Sequence, residues 1–278
     1  MIDDITTESL KAHLIPVDAH DTMAEAGRKV MLGDFINMLE NEAGSRTGED
    51  IENVHDMRVA TRRMRSAFRL LDDHYKTKPV RPLTNGLKQV ARQLGRVRDF
   101  DVMIDDLQTH QATLEDEAQA LQNVIDRLDK RRRKARRKLN NFLGSDAYNT
   151  FVAGFGAFLT TPGKSAKAIE DDSVPYQVRH VLPGLIHEHL ALVRAYDNVL
   201  DNANFETLHA LRIEFKRLRY IVDYFSGVLG TSVNDFLTEL KVIQDHLGRM
   251  NDTVVAEKRL QEIIDDGGKL PRDVPESL

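Results

Sequence analysis

Apolar residues recur at every third or fourth position along most of the chain, a spacing that gathers them on one side of an α-helix. No segment shows the sustained apolar–polar alternation that a half-buried β-strand requires. Eight prolines and sixteen glycines fall mostly between the periodic segments and separate them. The pattern therefore predicts an all-α protein built from long helices.

The periodic segments place predicted helices at about residues 20–44, 49–75, 83–110, 112–143, 148–159, 176–201, 205–228 and 233–265. A turn is predicted at Gly44–Gly48. The two prolines within Lys78–Pro82 are expected to break the chain between helices.

The low apolar content of residues 161–175, together with Pro162 and Gly163, predicts a linker. A first helical bundle is expected at 20–160 and a second, shorter bundle at 176–266, both within one domain. An acidic, loosely attached segment is expected at 1–19, and 267–278 form a tail.

The strongest functional signal lies in the helix that contains residues 54–71. At about 100° per residue, its basic side chains fall within about 80° of one another. They are His55, Arg58, Arg62, Arg65 and Arg69. Met57 and Met64 belong to an apolar stripe that lies more than about 100° away. The basic side carries no acidic residue at the i,i+4 spacing of helical ion pairs, so one face is expected to pack and the other to present cations.

The same arrangement occurs again 154 residues later. The spacing of His55, Arg58, Arg62 and Arg65 is repeated by His209, Arg212, Lys216 and Arg219. A second block, Leu247–Asp252, matches Leu94–Asp99 at an offset of 153. Two blocks with nearly equal offsets indicate an internal duplication and hence two related bundles. Nothing after Asp266 resembles residues 112–159, so the second bundle is either shortened or completed by the first half or by a partner.

Composition agrees with a soluble globular protein, since 41% of the 278 residues are hydrophobic and 30% are charged. No run of about 18 apolar residues predicts a transmembrane helix, and the acidic N-terminus does not resemble a secretory signal. The chain has no cysteine, which excludes disulfides, thiolate catalysis and cysteine zinc sites. A reducing cytoplasm is the expected compartment.

The net charge of −5 is unevenly distributed. Residues 1–53 are strongly acidic, whereas 58–69 and 130–138 are strongly basic. Because a ligand responds to the local field, the basic segments favour a polyanionic partner. Arginine suits such a partner, since its planar fork donates two hydrogen bonds to phosphate oxygens and keeps its charge at neutral pH.

If the two basic helices face each other, like charges would crowd into one groove. That arrangement is expected only where an anion offsets the repulsion. The alternative is that both faces are solvated or pair with acids of neighbouring helices. The duplication favours the anion-binding interpretation.

Other cations are candidates for the same groove. Lys88, Arg92 and Arg96 share one face of the third helix. Lys241 and Arg249 match two of them in the second copy, where Asp245 replaces the middle arginine.

Eight of the nine side chains at 130–138 are basic. Within this run Arg133, Arg136 and Arg137 share one side. The run either extends the groove or forms a solvated spine.

His55 and His209 lie near the start of their helices, on the basic side. A neutral imidazole bonded to a neighbouring helix and a protonated imidazole on the ligand are both open, and we favour the structural role. A metal site at His187 and His189 is disfavoured, because no cysteine or carboxylate stands at a helical spacing from them.

Gly95 and Gly248 fall inside predicted helices, where glycine costs about 1 kcal/mol relative to alanine. Their matching positions predict a close approach between helices. Asp99 and Asp252, four residues later, are expected to orient an arginine or histidine of the adjoining basic helix.

No catalytic signature is present: there is no Walker A loop, no Gly-x-Ser-x-Gly and no His-Glu-x-x-His. The acidic residues show no arrangement that would hold magnesium against a phosphate. We therefore predict a protein that is not an enzyme and uses no cofactor.

These features resemble the CHAD family, the conserved histidine α-helical domain, over about residues 20–265. The resemblance rests on His-x-x-Arg-Val-x-x-Arg-Arg-Met-Arg at 55–65 and His-x-x-Arg-Ile-x-x-Lys-Arg-Leu-Arg at 209–219. It rests also on Leu-Gly-x-x-Arg-Asp at 94–99 and Leu-Gly-x-x-Asn-Asp at 247–252.

The resemblance implies two four-helix bundles related by a pseudo-twofold axis, with a basic central channel that binds inorganic polyphosphate. It places Arg58, Arg62, Arg65, Arg212, Lys216 and Arg219 on the channel wall. Some relatives are fused to a triphosphate-tunnel phosphohydrolase domain, whose Glu-x-Glu-x-Lys strand is absent here, so hydrolysis is not expected.

The leading hypothesis is non-enzymatic binding of polyphosphate in a basic groove between the bundles, in the cytoplasm and at polyphosphate granules. The alternative is a nucleic-acid-binding or phosphate-metabolism regulatory module. Nucleic acid is disfavoured, because only 6% of the residues are aromatic and none is interleaved on the basic faces for base stacking. No membrane partner is expected.

Overall fold

The structure, a computed structural model, describes residues 5–112, 118–171 and 173–265, apart from the side chains of 118, 120 and 251–265. These ranges contain eleven α-helices, a few short 3-10 turns and no β-strand. The prediction of an all-α protein is confirmed.

The long helices are α2 (Met23–Glu40), α4 (Ile51–Leu70), α5 (Thr77–Gln111), α6 (Ala118–Leu143), α7 (Asp146–Thr160), α8 (Val178–Arg194), α9 (Phe205–Tyr224) and α11 (Val233–Asp265). Three short helices complete the set: α1 (Thr7–Lys11), α3 (Glu42–Thr47) and α10 (Ser226–Leu229).

The chain divides into two compact units. The first contains the described part of Met1–Leu14 together with Met31–Ala166. The second contains Ile15–Val30 together with the described part of Lys167–Asp273. Helix α2 therefore begins in the second unit and continues into the first, whereas the sequence assigned all of it to the first bundle.

The core of the first unit contains an aromatic cluster contributed by α2, α4 and α7. The Phe35 and Phe155 ring centroids lie 4.9 Å apart, and those of Phe68 and Phe158 lie 5.7 Å apart. Phe35 and Phe155 are completely buried. Aromatic pairs in such tilted geometry add roughly 0.5–1.5 kcal/mol to the stabilisation from burial alone.

Two predicted breaks are wrong in detail. The expected turn at Gly44–Gly48 is mostly helix α3, and only Gly48 leaves the helix, with a left-handed φ of 68°. Helix α5 already begins at Thr77, so Pro79 stands in its first turn and Pro82 just beyond it. Pro79 is tolerated there because the first four N–H groups of a helix have no partner within it, whereas Pro82 stands inside the helix without ending it.

The N-terminal segment is packed more firmly than its acidic composition suggested. Leu10 is buried on α1, and Lys11 Nζ lies 2.8 Å from Glu40 Oε1. Ile5 packs against Gly156. The expectation of loose attachment is therefore wrong for residues 5–14.

The second unit has a smaller core, formed mainly by α8, α9 and α11. Its buried members are Val193, Leu211, Leu218, Val222, Leu240 and Leu247. Nine further apolar side chains are only partly buried against them.

Helix boundaries reproduce the sequence duplication. Helices α4 and α9 each have 20 residues and begin 154 positions apart. Helices α6 and α7 have no counterparts among the described helices of the second unit.

Because the described part of the second unit has no counterparts of α6 and α7, apolar residues of α11 are more exposed than their matches on α5. Leu83 and Val97 of α5 are 8% and 0% exposed, whereas Phe236 and Met250, their matches at an offset of 153, are 37% and 40% exposed. In the first unit α6 and α7 pack along α5, so these positions are covered there.

Candidate functional site

Helix α4 has a buried apolar side and a basic side, and burial of the apolar side sets the rotation of the helix about its axis. Its N-cap is Asp50, whose side chain accepts a hydrogen bond from the Glu52 N–H. Met57 and Met64 are fully buried, so the basic side chains lie on the opposite side of the helix, away from the core. Arg58, Arg62 and Arg65 are half-buried on that side, His55 is half-buried near its start, and Arg69 is exposed at its end.

Helix α9 repeats this construction in the second unit. Asn204 is the N-cap and accepts from the Thr207 N–H, while Leu211 and Leu218 are buried. The basic positions His209, Arg212, Lys216 and Arg219 are all half-buried. The guanidinium of Arg219 also lies 5.5 Å from the ring centroid of Tyr220.

Several arginine nitrogens on these two helices are buried without an acceptor. The Nε atoms of Arg62, Arg212 and Arg219 have no hydrogen-bond partner within the described part of the chain. A buried donor without a partner costs roughly 1–3 kcal/mol, and more when it is charged. Because the three side chains are only half-buried, a change of rotamer would let each guanidinium donate to an oxygen of a bound anion.

In the first unit α5 adds a second row of cations beside α4. A Cβ atom at Gly95 would lie 4.0 Å from Arg58 Nε, and Arg98 Nη1 lies 3.3 Å from Glu52 Oε1. These contacts show that the two helices run antiparallel, because the α5 residue numbers fall as the α4 numbers rise.

The antiparallel pairing brings some predicted α5 cations to α4 and leaves one away from it. At about 100° per residue, Lys88 and Arg92 point within about 60° of Gly95, alongside Arg62 and Arg65 of α4. Both are exposed. Arg96 lies about 100° away from Gly95 around the helix. We call His55, Arg58, Arg62, Arg65, Lys88 and Arg92 the cationic surface of the first unit.

The second unit carries the matching residues with fewer cations on α11. Lys241 and Arg249 are exposed there, and Asp245 stands in the place of Arg92. The α9 residues His209, Arg212, Lys216 and Arg219 with Lys241 form the cationic surface of the second unit.

His55 is held near other cations of the first unit. Burial is the main cause that lowers the pKa of its imidazole, and the charge of Arg98 lowers that pKa further. The charges of Glu52 and Asp56 oppose the shift, and Arg62 adds a smaller lowering effect. A neutral ring at neutral pH follows from this direction. Arg98, which the sequence interpretation did not select, is thus a neighbour of the site.

The three selected residues of α6 are separated by the structure. Arg136 turns inward, where Nη1 donates to the Gly48 carbonyl at 3.3 Å and Nη2 lies 3.8 Å from Asp101 Oδ1. Arg133 pairs with Asp129 at 3.2 Å and is 60% exposed. Arg137 is exposed and has no ion-pair partner among the described residues.

Asp101 is the buried acid that holds arginines at the α5–α6 contact. Its side chain is fully buried, and burial raises its pKa against the opposing charges of Arg136, Arg132 and Arg98. Its burial could have been predicted from the sequence. Leu87, Leu94 and Asp101 are seven residues apart and therefore lie on the same buried side of α5.

The predicted close approach at the two mid-helix glycines is wrong. A Cβ at Gly95 would meet nothing nearer than Arg58 Nε, and at Gly248 nothing lies within 4 Å.

No group of three histidine, aspartate or glutamate residues in the described ranges is placed to hold a metal ion. His187 is exposed and His189 half-buried. Likewise, none of the helices in these ranges combines the length and apolar character needed to cross a membrane.

Comparison with known proteins gives a family match and two solved relatives. The CHAD domain sequence model matches residues 30–261. A crystal structure of the CHAD domain from the plant Ricinus communis superposes with a TM-score of 0.72 and 26% identity, covering 92% of this chain and 83% of that one. PptA from Streptomyces chartreusis superposes with a TM-score of 0.63 and 16% identity, over 92% and 89% of the two chains, which supports the fold alone.

Two curated sequences from Mycobacterium tuberculosis are also similar. The uncharacterized protein MT2285 of strain CDC 1551 / Oshkosh is 27% identical over 215 residues, and the uncharacterized protein Rv2226 of strain ATCC 25618 / H37Rv gives the same values. The match covers 74% of this chain but only 39% of each relative.

Proposed function

This chain belongs to the CHAD domain family, and on that premise we propose that it binds inorganic polyphosphate through its cationic surfaces without cleaving it. The observation that carries the proposal is the set of buried arginine nitrogens without acceptors, Arg62 Nε, Arg212 Nε and Arg219 Nε. They occur in both repeats, on the sides of α4 and α9 that face away from the apolar cores.

A linear polyanion fits these surfaces better than a small anion does. Arg58 and Arg65 are seven positions apart, and seven residues of helix span about 10 Å. The row therefore offers successive donors along a line rather than one converging pocket. Each guanidinium donates charge-assisted hydrogen bonds, and several in a row give an affinity that grows with ligand length.

The supporting chemistry is sequence-independent recognition of phosphate. Phe205 is an exposed aromatic neighbour of the cationic surfaces, with its ring centroid 6.0 Å from that of His209, and no aromatic ring alternates with their arginines, so a run of bases would find no continuous stacking platform. The proposal includes location at polyphosphate granules, as a consequence of binding their constituent. The groove between the two bundles that the sequence predicts stays a prediction, and each cationic surface is proposed as a contact in its own right.

The experiment that tests this function is a calorimetric titration of long-chain polyphosphate into the full chain at low and at moderate salt. We expect binding at low salt that weakens steeply as salt rises, since released counterions drive the association. Absence of binding at low salt would contradict the proposal. Phosphate release in the presence of magnesium or manganese would contradict its non-enzymatic part.

A further inference from the structure

Gly95 and Gly248 occupy matching places in the two repeats, and neither is explained by the backbone. Both lie inside long helices, α5 and α11. Left-handed φ values occur at Gly48, Gly163 and Gly230 among the described glycines, and not at these two. Glycine inside a helix is destabilising relative to alanine because it loses more backbone freedom on folding.

Packing does not explain these glycines either. Elsewhere in the first unit glycine is required by contact: a Cβ at Gly86 would overlap the Phe151 ring, and one at Gly156 would overlap Ile5. At Gly95 a Cβ would have only Arg58 Nε as a neighbour, at 4.0 Å, and at Gly248 it would have none within 4 Å. Each position has room for a methyl group that the sequence leaves out.

The room at Gly95 lies on the cationic surface of the first unit. Lys88 and Arg92 flank it on α5, and Arg58 borders it from α4. A side chain there would stand over the guanidinium that the proposed function assigns to phosphate. At Gly248 the flanking residues of α11 include Lys241 and Arg249, which are exposed.

We propose that Gly95 and Gly248 are ligand-clearance positions, kept free of a side chain so that a phosphate group of the polyanion can reach a guanidinium of the basic helix. At Gly95 that guanidinium belongs to Arg58, and at Gly248 the duplication assigns the equivalent role to Arg212. This inference rests on the proposed function and adds the residues that shape the site without donating to the ligand. It explains why helix stability is reduced at the same place in both repeats without a steric reason in either.

The test compares alanine at these positions with alanine at two control glycines. Gly33 in α2 and Gly184 in α8 are also inside helices with nothing within 4 Å of a Cβ, and neither belongs to a cationic surface. Gly33 is the control for Gly95 in the first unit, and Gly184 is the control for Gly248 in the second.

All four alanine variants are expected to raise Tm, by about 2–4 °C each, because alanine favours the helix. Gly95→Ala with Gly248→Ala should bind long-chain polyphosphate about tenfold more weakly than wild type, as expected when a charge-assisted contact is lost. Gly33→Ala with Gly184→Ala should bind as wild type does. Gly95→Leu with Gly248→Leu should weaken binding further, since leucine fills more of the space.

The possible outcomes distinguish failure of the clearance proposal from failure of the proposed polyphosphate binding. If Gly95→Ala with Gly248→Ala is stabilised and binds as wild type does, the clearance proposal is overturned and polyphosphate binding stands. If the same variant loses stability, the glycines are needed for packing and the proposal is again overturned. If wild type itself does not bind, the proposed function fails together with the inference.

Discussion

The carboxylate of Asp101 is completely buried, and its Oδ1 lies 3.4 Å from Nη1 of Arg132. This pair joins α5 to α6, and the Asp101 carboxylate also has Arg136 Nη2 at 3.8 Å. Removing one partner of a buried ion pair leaves the other charge buried and uncompensated. The resulting loss of stability is larger than the net stabilisation that the pair itself contributes.

Asp101→Asn should therefore lower the free energy of unfolding by about 3–5 kcal/mol, measured by urea denaturation. The matched control is Asp129→Asn, since Asp129 also pairs with Arg132 but is partly exposed. That control should lose less than about 1 kcal/mol. Equal losses in the two variants would show that burial of Asp101 is not what makes its pair important.

Two adjacent arginines of α6 should behave differently. Arg136→Ala should destabilise the fold by roughly 1–3 kcal/mol, because it removes a donor to the Gly48 carbonyl and a partner of Asp101. Arg137→Ala should leave thermal stability within about 0.5 kcal/mol of wild type, because its side chain is exposed. Thermal unfolding of both variants measures the difference, and the reverse order would contradict the assignment of Arg136 to the α5–α6 contact.

His55 should make folding stability depend on pH. Its pKa is lowered in the folded state, chiefly by burial and then by Arg98, so the unfolded chain takes up a proton at a higher pH than the folded one does. Stability from this group is present above the ordinary histidine pKa of about 6.5 and is lost as pH falls through the lower folded value. His55→Gln should flatten this part of the pH profile in urea titrations, and an unchanged slope would contradict a lowered pKa for the folded imidazole.

Each arginine that contacts phosphate should contribute to the salt dependence of binding. Arg62→Gln is expected to lower the slope of log affinity against log salt by about 0.7, the loss of one phosphate contact on a flexible strand. Lys164→Gln, at an exposed position outside both cationic surfaces, should leave the slope unchanged. Equal slopes for Arg62→Gln and wild type would remove Arg62 from the contact set.

Nucleic acid should compete poorly for the same surfaces. Single-stranded RNA is expected to displace bound polyphosphate only at a much higher phosphate concentration, because no aromatic residues alternate with the arginines of the cationic surfaces. A competition titration with fluorescent polyphosphate measures this. Displacement at equal phosphate concentration would favour the nucleic-acid alternative instead.

Much of the fold could be predicted because it depends on local periodicity. The apolar periodicity located α4 and α9, and the observed helices begin 154 residues apart, as their basic motifs do. The apolar stripes predicted which sides of these helices would be buried, since a side that repeats with the helical period must meet a core.

What could not be predicted depends on partners distant in the chain. The inward turn of Arg136 is decided by Asp101 and by the Gly48 carbonyl, which no helical periodicity relates to it. The role of Gly95 depends on the open space beside its Cα atom. A sequence alone does not show whether a helical glycine lies against a neighbouring helix or beside open space. Pro79 of α5 misled for a different reason, since proline breaks a helix in its interior but is tolerated in its first turn. Pro82 stands inside the helix without ending it.

The most direct test of the central claim is a titration of long-chain polyphosphate against a charge-reversed variant, Arg58→Glu with Arg212→Glu. The control, Lys164→Glu with Lys167→Glu, changes the net charge equally, with one exposed position from each unit. We predict that the arginine variant keeps the helical content of wild type by circular dichroism and loses polyphosphate binding, while the lysine control still binds. Undiminished binding by a folded Arg58→Glu, Arg212→Glu variant would contradict the claim that the cationic surfaces of α4 and α9 hold the ligand.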